Sequence, residues 1–216
     1  MEARGIEPLT RPCKGRVFPL APRPRRAQRV DRATYAAVAS SARVRAATAA
    51  AVARLRAAGA ARRALVVDCD VHQGDGTADL LSADPDAFTL SLHGARNYPF
   101  TRIPSDLDVD LPSGTGDAEY LRALDRALDA AVAAGRPDVA FYLAGADPWE
   151  GDRLGRLALT KAGLRARDEL VLDRLGAIGV PVCVVLAGGY APDVRDTVDI
   201  NAATAAAVAA RVQRKR

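Results

Sequence analysis

Four short apolar runs recur along the chain after residue 63, and each is followed by glycine or polar residues. The runs predict β-strands at 64–69, 87–92, 138–144 and 180–186. Three of them are almost continuously apolar, which is typical of strands in a sheet that is covered on both faces. We therefore expect a central, mostly parallel sheet rather than a sheet with one solvated face.

Segments with helical periodicity separate these runs. The pattern predicts helices at 34–58, 117–134, 160–177 and 193–212. In the second of these, Leu121, Leu124, Leu128 and Val132 recur every three or four residues and give one apolar face. Strands that alternate with helices predict an α/β fold with three layers, α/β/α, around a mostly parallel sheet.

Charge divides the chain near residue 63. Residues 1–63 carry 15 Lys and Arg against 3 Asp and Glu, whereas residues 64–216 carry 16 against 23. Residues 1–33 are also rich in proline, so we interpret them as a basic, disordered extension and 34–216 as the folded domain. An Arg-rich arm can attract nucleic acid, but residues 1–63 have only two aromatic residues and no known binding motif, so nucleic acid is an unexpected partner.

The compartment is indicated by the cysteines and by the lack of targeting segments. The three cysteines have no CxxC spacing, and their odd number argues against a disulfide framework. No apolar run is long enough to cross a bilayer, and the first residues lack the apolar core of a secretory signal. We expect reduced thiols and a cytoplasmic protein that does not enter membranes; the oligomeric state is not indicated.

Polar residues collect where the four predicted strands end. They are Asp70 and His72 after the first strand, Ser91 and His93 at the end of the second, Asp147 after the third and Tyr190 after the fourth. Ligand sites of parallel α/β sheets lie at the carboxyl ends of the strands. Because carboxylate and imidazole ligands suit a divalent metal such as zinc, we expect a shared metal site at this edge.

Three segments in order resemble one known family. Residues 67–77 (Val-Asp-Cys-Asp-Val-His-Gln-Gly-Asp-Gly-Thr), 143–152 (Leu-Ala-Gly-Ala-Asp-Pro-Trp-Glu-Gly-Asp) and 186–190 (Leu-Ala-Gly-Gly-Tyr) resemble the metal-binding segments and the tyrosine loop of the histone deacetylase family. The resemblance spans about 64–205 and is strongest to bacterial and class IV-type members. It implies an arginase–deacetylase-like fold that is incomplete at its amino terminus.

The resemblance also implies roles for individual residues. Asp70, His72 and Asp147 would bind one catalytic Zn²⁺, and Tyr190 would donate a hydrogen bond to the developing oxyanion. Asp68 would orient a neighbouring imidazole, and Asp68, Asp70, His72, Ser91 and the Leu92 backbone would form a structural K⁺ site. The reaction would be hydrolysis of an N-acetyl-lysine-like or acetylpolyamine-like amide, with His93 in a structural role.

The family mechanism also uses a pair of adjacent histidines as general base and acid, and this chain has none. Its two histidines are His72 and His93, so the leading part of the family domain is expected to be missing or replaced. The alternative to an active deacetylase is therefore a non-catalytic remnant that binds metal or acetyl groups. A truncated, mis-started or frame-shifted reading frame would explain residues 1–63; an upstream DNA sequence without a His-His segment would exclude that hypothesis.

Several residues have simpler interpretations that compete with a role in chemistry. Asp147 could cap a helix, Tyr190 could cover the sheet end, and Asp75 between glycines is expected in a turn. Trp149 could line the pocket mouth or pack on the surface, and Asp152 with Arg153 could form a salt bridge beneath the loop. A binuclear ureohydrolase on a related fold needs more histidine ligands than the chain offers.

Overall fold

A computed structural model describes residues 41–213, with side-chain environments from residue 46 onward. The predicted extension 1–33, residues 34–40 of the first predicted helix and residues 214–216 lie outside the described residues. Within the described range, no helix combines the length and the apolar character needed to span a membrane.

In the part of the chain that the structure describes, the sheet has five parallel strands in the order β3-β2-β1-β4-β5. The strands are β1 (Ala64–Asp68), β2 (Ala87–Gly94), β3 (Leu107–Leu111), β4 (Val139–Gly145) and β5 (Val182–Ala187). The four predicted strands are confirmed, with ends shifted by up to two residues, while β3 was not predicted. Its sequence Leu-Asp-Val-Asp-Leu alternates strictly, as a strand at the edge of a sheet does, but it lacks the continuous apolar run of the others.

Within residues 41–213, five helices cover the sheet. They are α1 (Ser41–Ala57), α2 (Asp75–Leu81), α3 (Asp117–Ala134), α4 (Lys161–Ala177) and α5 (Val194–Gln213). The four predicted helices are confirmed as α1, α3, α4 and α5 over their described residues, whereas α2 was not predicted, and the prediction of a turn at Asp75 is wrong because this residue begins α2. The Gly-Asp-Gly sequence was mistaken for a turn; Gly74 precedes the helix, and the Asp75 carboxylate lies in its first turn, where it complements the helix dipole.

Each face of the sheet has its own apolar cluster, which confirms the three layers. Leu65 and Val67 pack on the side of α3 and α4, whereas Val66 faces the opposite side with Val52 of α1. This division follows from the two-residue period of strands, which sends successive side chains to opposite faces. Because β1 is central and buried on both sides, the residues that follow it leave from the middle of the sheet edge.

Candidate metal centre

The candidate ligands follow two adjacent strands and lie close together. Parallel pairing of β1 with β4 places Asp68 beside Leu143. Asp70 follows two residues after the end of β1, and Asp147 follows two residues after the end of β4. The register therefore brings both carboxylates to the same edge of the sheet, as the sequence predicted.

Asp70, His72 and Asp147 form a compact cluster. One potential ligand atom from each residue lies within 4.8 Å of the others. The Nδ1 atom of His72 is 2.9 Å from Asp70 Oδ1 and 3.3 Å from Asp147 Oδ2. The two carboxylates thus converge on the same imidazole nitrogen, an arrangement that can surround a cation.

Backbone hydrogen bonds order the loop that carries these groups. Asp68 Oδ1 accepts a hydrogen bond from the Asp70 amide at 3.0 Å. Asp147 Oδ1 accepts one from the Val71 amide, and Asp70 Oδ1 accepts one from the His72 amide, both at 2.9 Å. Each carboxylate therefore uses one oxygen to fix the loop.

The second oxygen of Asp147 indicates that the residues fit a metal ion. Asp147 is 1% exposed, and its buried Oδ2 accepts no hydrogen bond of good geometry in the described structure. A buried carboxylate oxygen without a donor costs stability, so such atoms are rare unless a ligand satisfies them. Two carboxylates and one imidazole are a donor set that zinc accepts in catalytic sites.

Two glycines allow the backbone to approach this cluster closely. A Cβ atom on Gly145 would lie 2.6 Å from the Cα of Asp70. A Cβ atom on Gly188 would lie 2.3 Å from Asp147 Oδ2, and Gly188 has a φ of +60°, which side chains rarely adopt. The loop after β5 thus lies directly against the Asp147 carboxylate.

Tyr190 extends this loop and is anchored through its backbone. Its amide donates to Asp152 Oδ2 at 2.5 Å, and its carbonyl accepts from the Arg153 amide and Nε, both at 3.3 Å. The expected salt bridge between Asp152 and Arg153 is wrong: within the described chain each contacts the tyrosine loop instead. The side chain of Tyr190 is 57% exposed, so its hydroxyl group is accessible to a ligand.

The residues expected to bind K⁺ come from two neighbouring strands: Asp68, Asp70 and His72 lie on or after β1, and Ser91 and Leu92 lie on β2. Asp68 pairs with Ser91 across β1 and β2, and both are buried together with Leu92. Ser91 Oγ accepts a hydrogen bond from the Gly74 amide at 3.1 Å and lies 2.9 Å from His93 Nδ1. Asp68 Oδ1 binds the Asp70 amide, so its expected contact with an imidazole stays a prediction, as does the K⁺ site.

His93 has a buried environment that agrees with a structural role. It is fully buried, with Nδ1 beside Ser91 and Nε2 3.2 Å from Asp110 Oδ1. The contact with His93 and, to a smaller extent, that with Arg102 lower the pKa of Asp110 to about 2, against the effect of burial. The Nδ1 atom of His93 is therefore engaged by Ser91, whereas Nε2 lies near Asp110 without a hydrogen bond of good geometry in the described structure.

Trp149 packs against the core on the side of α3 and α4 rather than standing free on the surface. A Cβ atom on Gly151 would lie 2.4 Å from its ring, and Lys161 Nζ lies 5.8 Å from the ring centroid. Trp149 is partly buried against the core, which differs from the expected packing on the surface, and its place at the pocket mouth stays a prediction.

Sequence reasoning missed three buried polar residues next to the site, Gln73 and the pair Arg167 and Asp168. Gln73 is fully buried and donates to the Ile103 carbonyl at 2.6 Å and to Asp108 Oδ1 at 3.1 Å. Arg167 and Asp168 are also buried, on α4. A signal for this pair exists, because both fall between Leu164 and Val171 on the helix face that otherwise carries apolar residues.

Burial and charge shift the pKa values of two cluster residues. Burial alone would lower the pKa of His72, but the carboxylates of Asp147 and Asp70 outweigh it and raise the pKa to about 10. Burial first, and then the charge of Asp70, raise the pKa of Asp147 to about 7, against the contacts with His72 and Val71. Without a metal, the cluster holds protons that a cation would have to displace.

Zinc uptake is therefore expected to release roughly one to two protons per site at pH 7, because His72 must become neutral and Asp147 must be ionised. The raised pKa of His72 means that its proton competes with zinc below pH 10, so affinity should fall as pH falls. Calorimetric titration in buffers of different ionisation enthalpy measures the proton count. Zinc affinity that is equal at pH 6 and pH 8 would contradict this expectation.

Comparison with known proteins agrees with this geometry. The histone deacetylase domain family matches residues 45–207. An uncharacterized protein of Picosynechococcus is 48% identical over 140 residues, covering 65% of this chain and 47% of that protein. Histone deacetylase 2 of Arabidopsis thaliana is 36% identical over 131 residues, covering 59% of this chain and 34% of its own length. The chain thus matches less than half of either relative.

Solved structures share the sheet and its helices. A histone deacetylase homologue from Aquifex aeolicus superposes with a TM-score of 0.64 at 24% identity, over 72% of this chain and 44% of that one, and supports the fold. Acetylpolyamine aminohydrolase from Burkholderia pseudomallei superposes with a TM-score of 0.59 at 26% identity, over 72% of this chain and 46% of that one.

Fold and cluster together define an α/β protein of the deacetylase type, with a candidate metal centre at the carboxyl edge of a parallel sheet. Because the family match covers most of the chain, the chain belongs to the histone deacetylase family. The resemblance inferred from its three sequence segments is confirmed.

Proposed function

We propose that this chain is a zinc-dependent hydrolase that removes acetyl groups from N-acetyl-lysine-like or acetylpolyamine-like amides. The observation that carries the proposal is the convergence of Asp70, His72 and Asp147 within 4.8 Å, beside the loop that presents Tyr190. Family membership supports the reaction class, and the acetylpolyamine aminohydrolase among its structural neighbours supports acetylated amines as substrates.

Each site residue has a proposed role that follows from its position. Asp70, His72 and Asp147 would hold the metal, with Asp147 Oδ2 as the buried oxygen whose contact with His72 Nδ1, at 3.3 Å, lacks good hydrogen-bond geometry. Bound zinc would polarise the acyl oxygen and lower the pKa of an attacking water. The Tyr190 hydroxyl would donate a hydrogen bond where negative charge develops, and a K⁺ ion near Asp68, Ser91 and Leu92 would stabilise the loop.

A second candidate function is binding without turnover. The chain has two histidines, of which His72 belongs to the metal cluster and His93 is fully buried between Ser91 and Asp110. Neither imidazole is free to act as a general base, a group that is typically worth about 10²–10⁴ in rate. This observation favours a protein that retains an acetyl-amide pocket and has lost most of its catalytic rate.

We propose that the protein is cytoplasmic, because of the state of its described cysteines. Cys69 and Cys183 are free, and burial raises the pKa of the Cys69 thiol to about 12, which makes it unreactive. Free thiols in strands fit a reducing compartment.

Hydrolysis of an acetyl-lysine peptide and of an acetylated polyamine by the zinc-loaded chain tests the proposal. If the chain is an enzyme, Tyr190→Phe should lower kcat by about 10²–10³ while zinc content stays unchanged, because it removes one donor to the oxyanion. Tyr98→Phe is the matched control, since Tyr98 is equally exposed at 57%.

The outcomes separate the two candidate functions. Peptide binding by zinc-loaded protein with no product formed would support the non-catalytic function and contradict the enzyme. Equal rates for Tyr190→Phe and Tyr98→Phe would contradict the role of Tyr190. Neither binding nor turnover would contradict both functions.

A further inference from the structure

A fully buried ion pair lies beneath the metal centre. Arg167 on α4 is 0% exposed, and the neighbouring Asp168 is 1% exposed. The Nε and Nη2 atoms of Arg167 donate to Asp168 Oδ1 at 3.0 and 2.8 Å. This contact uses one edge of the guanidinium group and leaves its Nη1 atom to face the strand ends.

The Nη1 atom contacts both strands that carry the metal ligands. It donates to the Gly145 carbonyl at 2.6 Å and to the Cys69 carbonyl at 3.3 Å. Cys69 directly precedes Asp70, and Gly145 lies two residues before Asp147. We call this pair of contacts the Arg167 bridge, because it joins the ends of β1 and β4 through one side chain.

The strand ends need such a contact because they carry like charges. Asp70 and Asp147 lie within 4.8 Å of one another, and like charges at such a distance repel strongly where water is scarce. Gly145 also comes so close to the Asp70 Cα that no side chain fits between the two strands. The Cys69 amide, which donates to the Leu143 carbonyl at 3.0 Å, and the Val71 amide, which donates to Asp147 Oδ1, also join these segments, and Arg167 adds a contact from another element to both carbonyls.

The guanidinium itself is held in a fixed orientation. Asp168 Oδ1 also accepts a hydrogen bond from the Tyr142 hydroxyl, and Asp168 Oδ2 accepts one from Thr204 Oγ1, each at 2.5 Å. The carboxylate is thus tied to β4 and α5 as well as to Arg167. A planar guanidinium with several donors can bind the carboxylate and both carbonyls at once, which the single point charge of lysine cannot do.

We propose that Arg167 is a positioning residue that sets the separation of the Asp70 and Asp147 carboxylates for the bound cation. The inference rests on the proposed function, because it presumes that these carboxylates bind zinc. Arg167 does not touch the cation; it acts on the backbone next to each ligand. Outer groups that orient metal ligands typically change metal affinity 10–100-fold when they are altered.

If the ion pair were purely structural, altering it would lower stability without changing the metal centre. The test therefore measures stability and the metal centre separately. Zinc affinity is measured by chelator competition on the folded protein, together with the visible absorption of the Co²⁺-loaded form and the urea midpoint of the metal-free form. The variant is Arg167→Lys, which keeps the charge. The control is Leu175→Ala, which creates a cavity at a fully buried position on the same helix, two turns away.

We expect Arg167→Lys to weaken zinc binding about 10–100-fold and to shift the Co²⁺ absorption bands. Leu175→Ala should lower the urea midpoint and leave zinc affinity within about twofold of the parent. Parent-like zinc affinity and Co²⁺ absorption in folded Arg167→Lys would overturn the inference. An equal loss of zinc affinity in Leu175→Ala would also overturn it, since general loosening would then be the cause.

A second variant covers the case in which Arg167→Lys does not fold. The double variant Tyr142→Phe with Thr204→Val keeps Arg167 but removes two hydrogen bonds that orient Asp168, so zinc affinity should fall about fivefold or more. Parent-like affinity in the folded double variant would overturn the inference. Failure of the parent chain to bind zinc overturns the proposed function and this inference together, whereas normal zinc binding by the variants overturns the inference alone.

Discussion

Replacing Asp147 with asparagine is expected to lower zinc affinity by more than about a hundredfold, a larger loss than changes to outer groups usually cause. The substitution keeps the shape of the side chain, and the amide oxygen can still accept the hydrogen bond from Val71. It removes the negative charge at the buried Oδ2, the atom that accepts no good hydrogen bond in the described structure. Chelator competition measures the change.

The free energy of unfolding of the metal-free protein tests whether the loss of zinc affinity is confined to the metal centre. Because Asp147 is a buried carboxylate close to Asp70, its neutral replacement should leave the free energy of unfolding unchanged or raise it. Asp79→Asn is the control, since Asp79 is an exposed carboxylate on α2. Zinc binding by Asp147→Asn that matches this control would contradict the assigned ligand set.

Replacing Gly188 with alanine should be almost as damaging to the metal centre, for steric reasons. The new methyl group would lie 2.3 Å from Asp147 Oδ2, so the carboxylate or the tyrosine loop must move. The φ of +60° adds a cost of about 1–2 kcal/mol for any residue with a Cβ atom. Zinc affinity should fall by at least about tenfold, in line with disturbed ligand orientation.

Gly176, which lies on α4, provides the matched control for Gly188→Ala. Gly176→Ala places the same methyl group where no atom lies within 4 Å, so it should leave zinc affinity unchanged. It should also stabilise the helix by about 0.5–1 kcal/mol. Zinc affinity of Gly188→Ala equal to that of Gly176→Ala would show that the loop after β5 does not constrain Asp147.

The positions of the proposed ligands were predictable because parallel sheets bring the ends of their strands to one edge. Asp70, His72 and Asp147 each follow an apolar run that the sequence marks clearly, so their convergence needed no knowledge of side-chain packing. The same reasoning missed β3, whose alternating aspartates give it no continuous apolar run. It also misassigned Asp75, where local turn chemistry competed with a short helix that packs on the sheet.

The groups that support the ligands could not be predicted in the same way. Arg167 falls on the side of α4 that otherwise carries apolar residues, but the charged run Arg-Ala-Arg-Asp-Glu does not show what its guanidinium group contacts. Its burial depends on how α4 crosses the ends of β1 and β4, a matter of tertiary packing. The anchoring of the tyrosine loop by the Asp152 side chain likewise depends on contacts between segments 38 residues apart.

X-ray absorption at the zinc edge of the zinc-loaded chain is the most direct test of the central claim, that two aspartates and one histidine bind a single ion. The account predicts one zinc per chain with only nitrogen and oxygen ligands at about 2.0–2.2 Å, including one imidazole, and loss of this signal in Asp147→Asn. A sulfur ligand at about 2.3 Å, or zinc retained in the absence of Asp147, would contradict it.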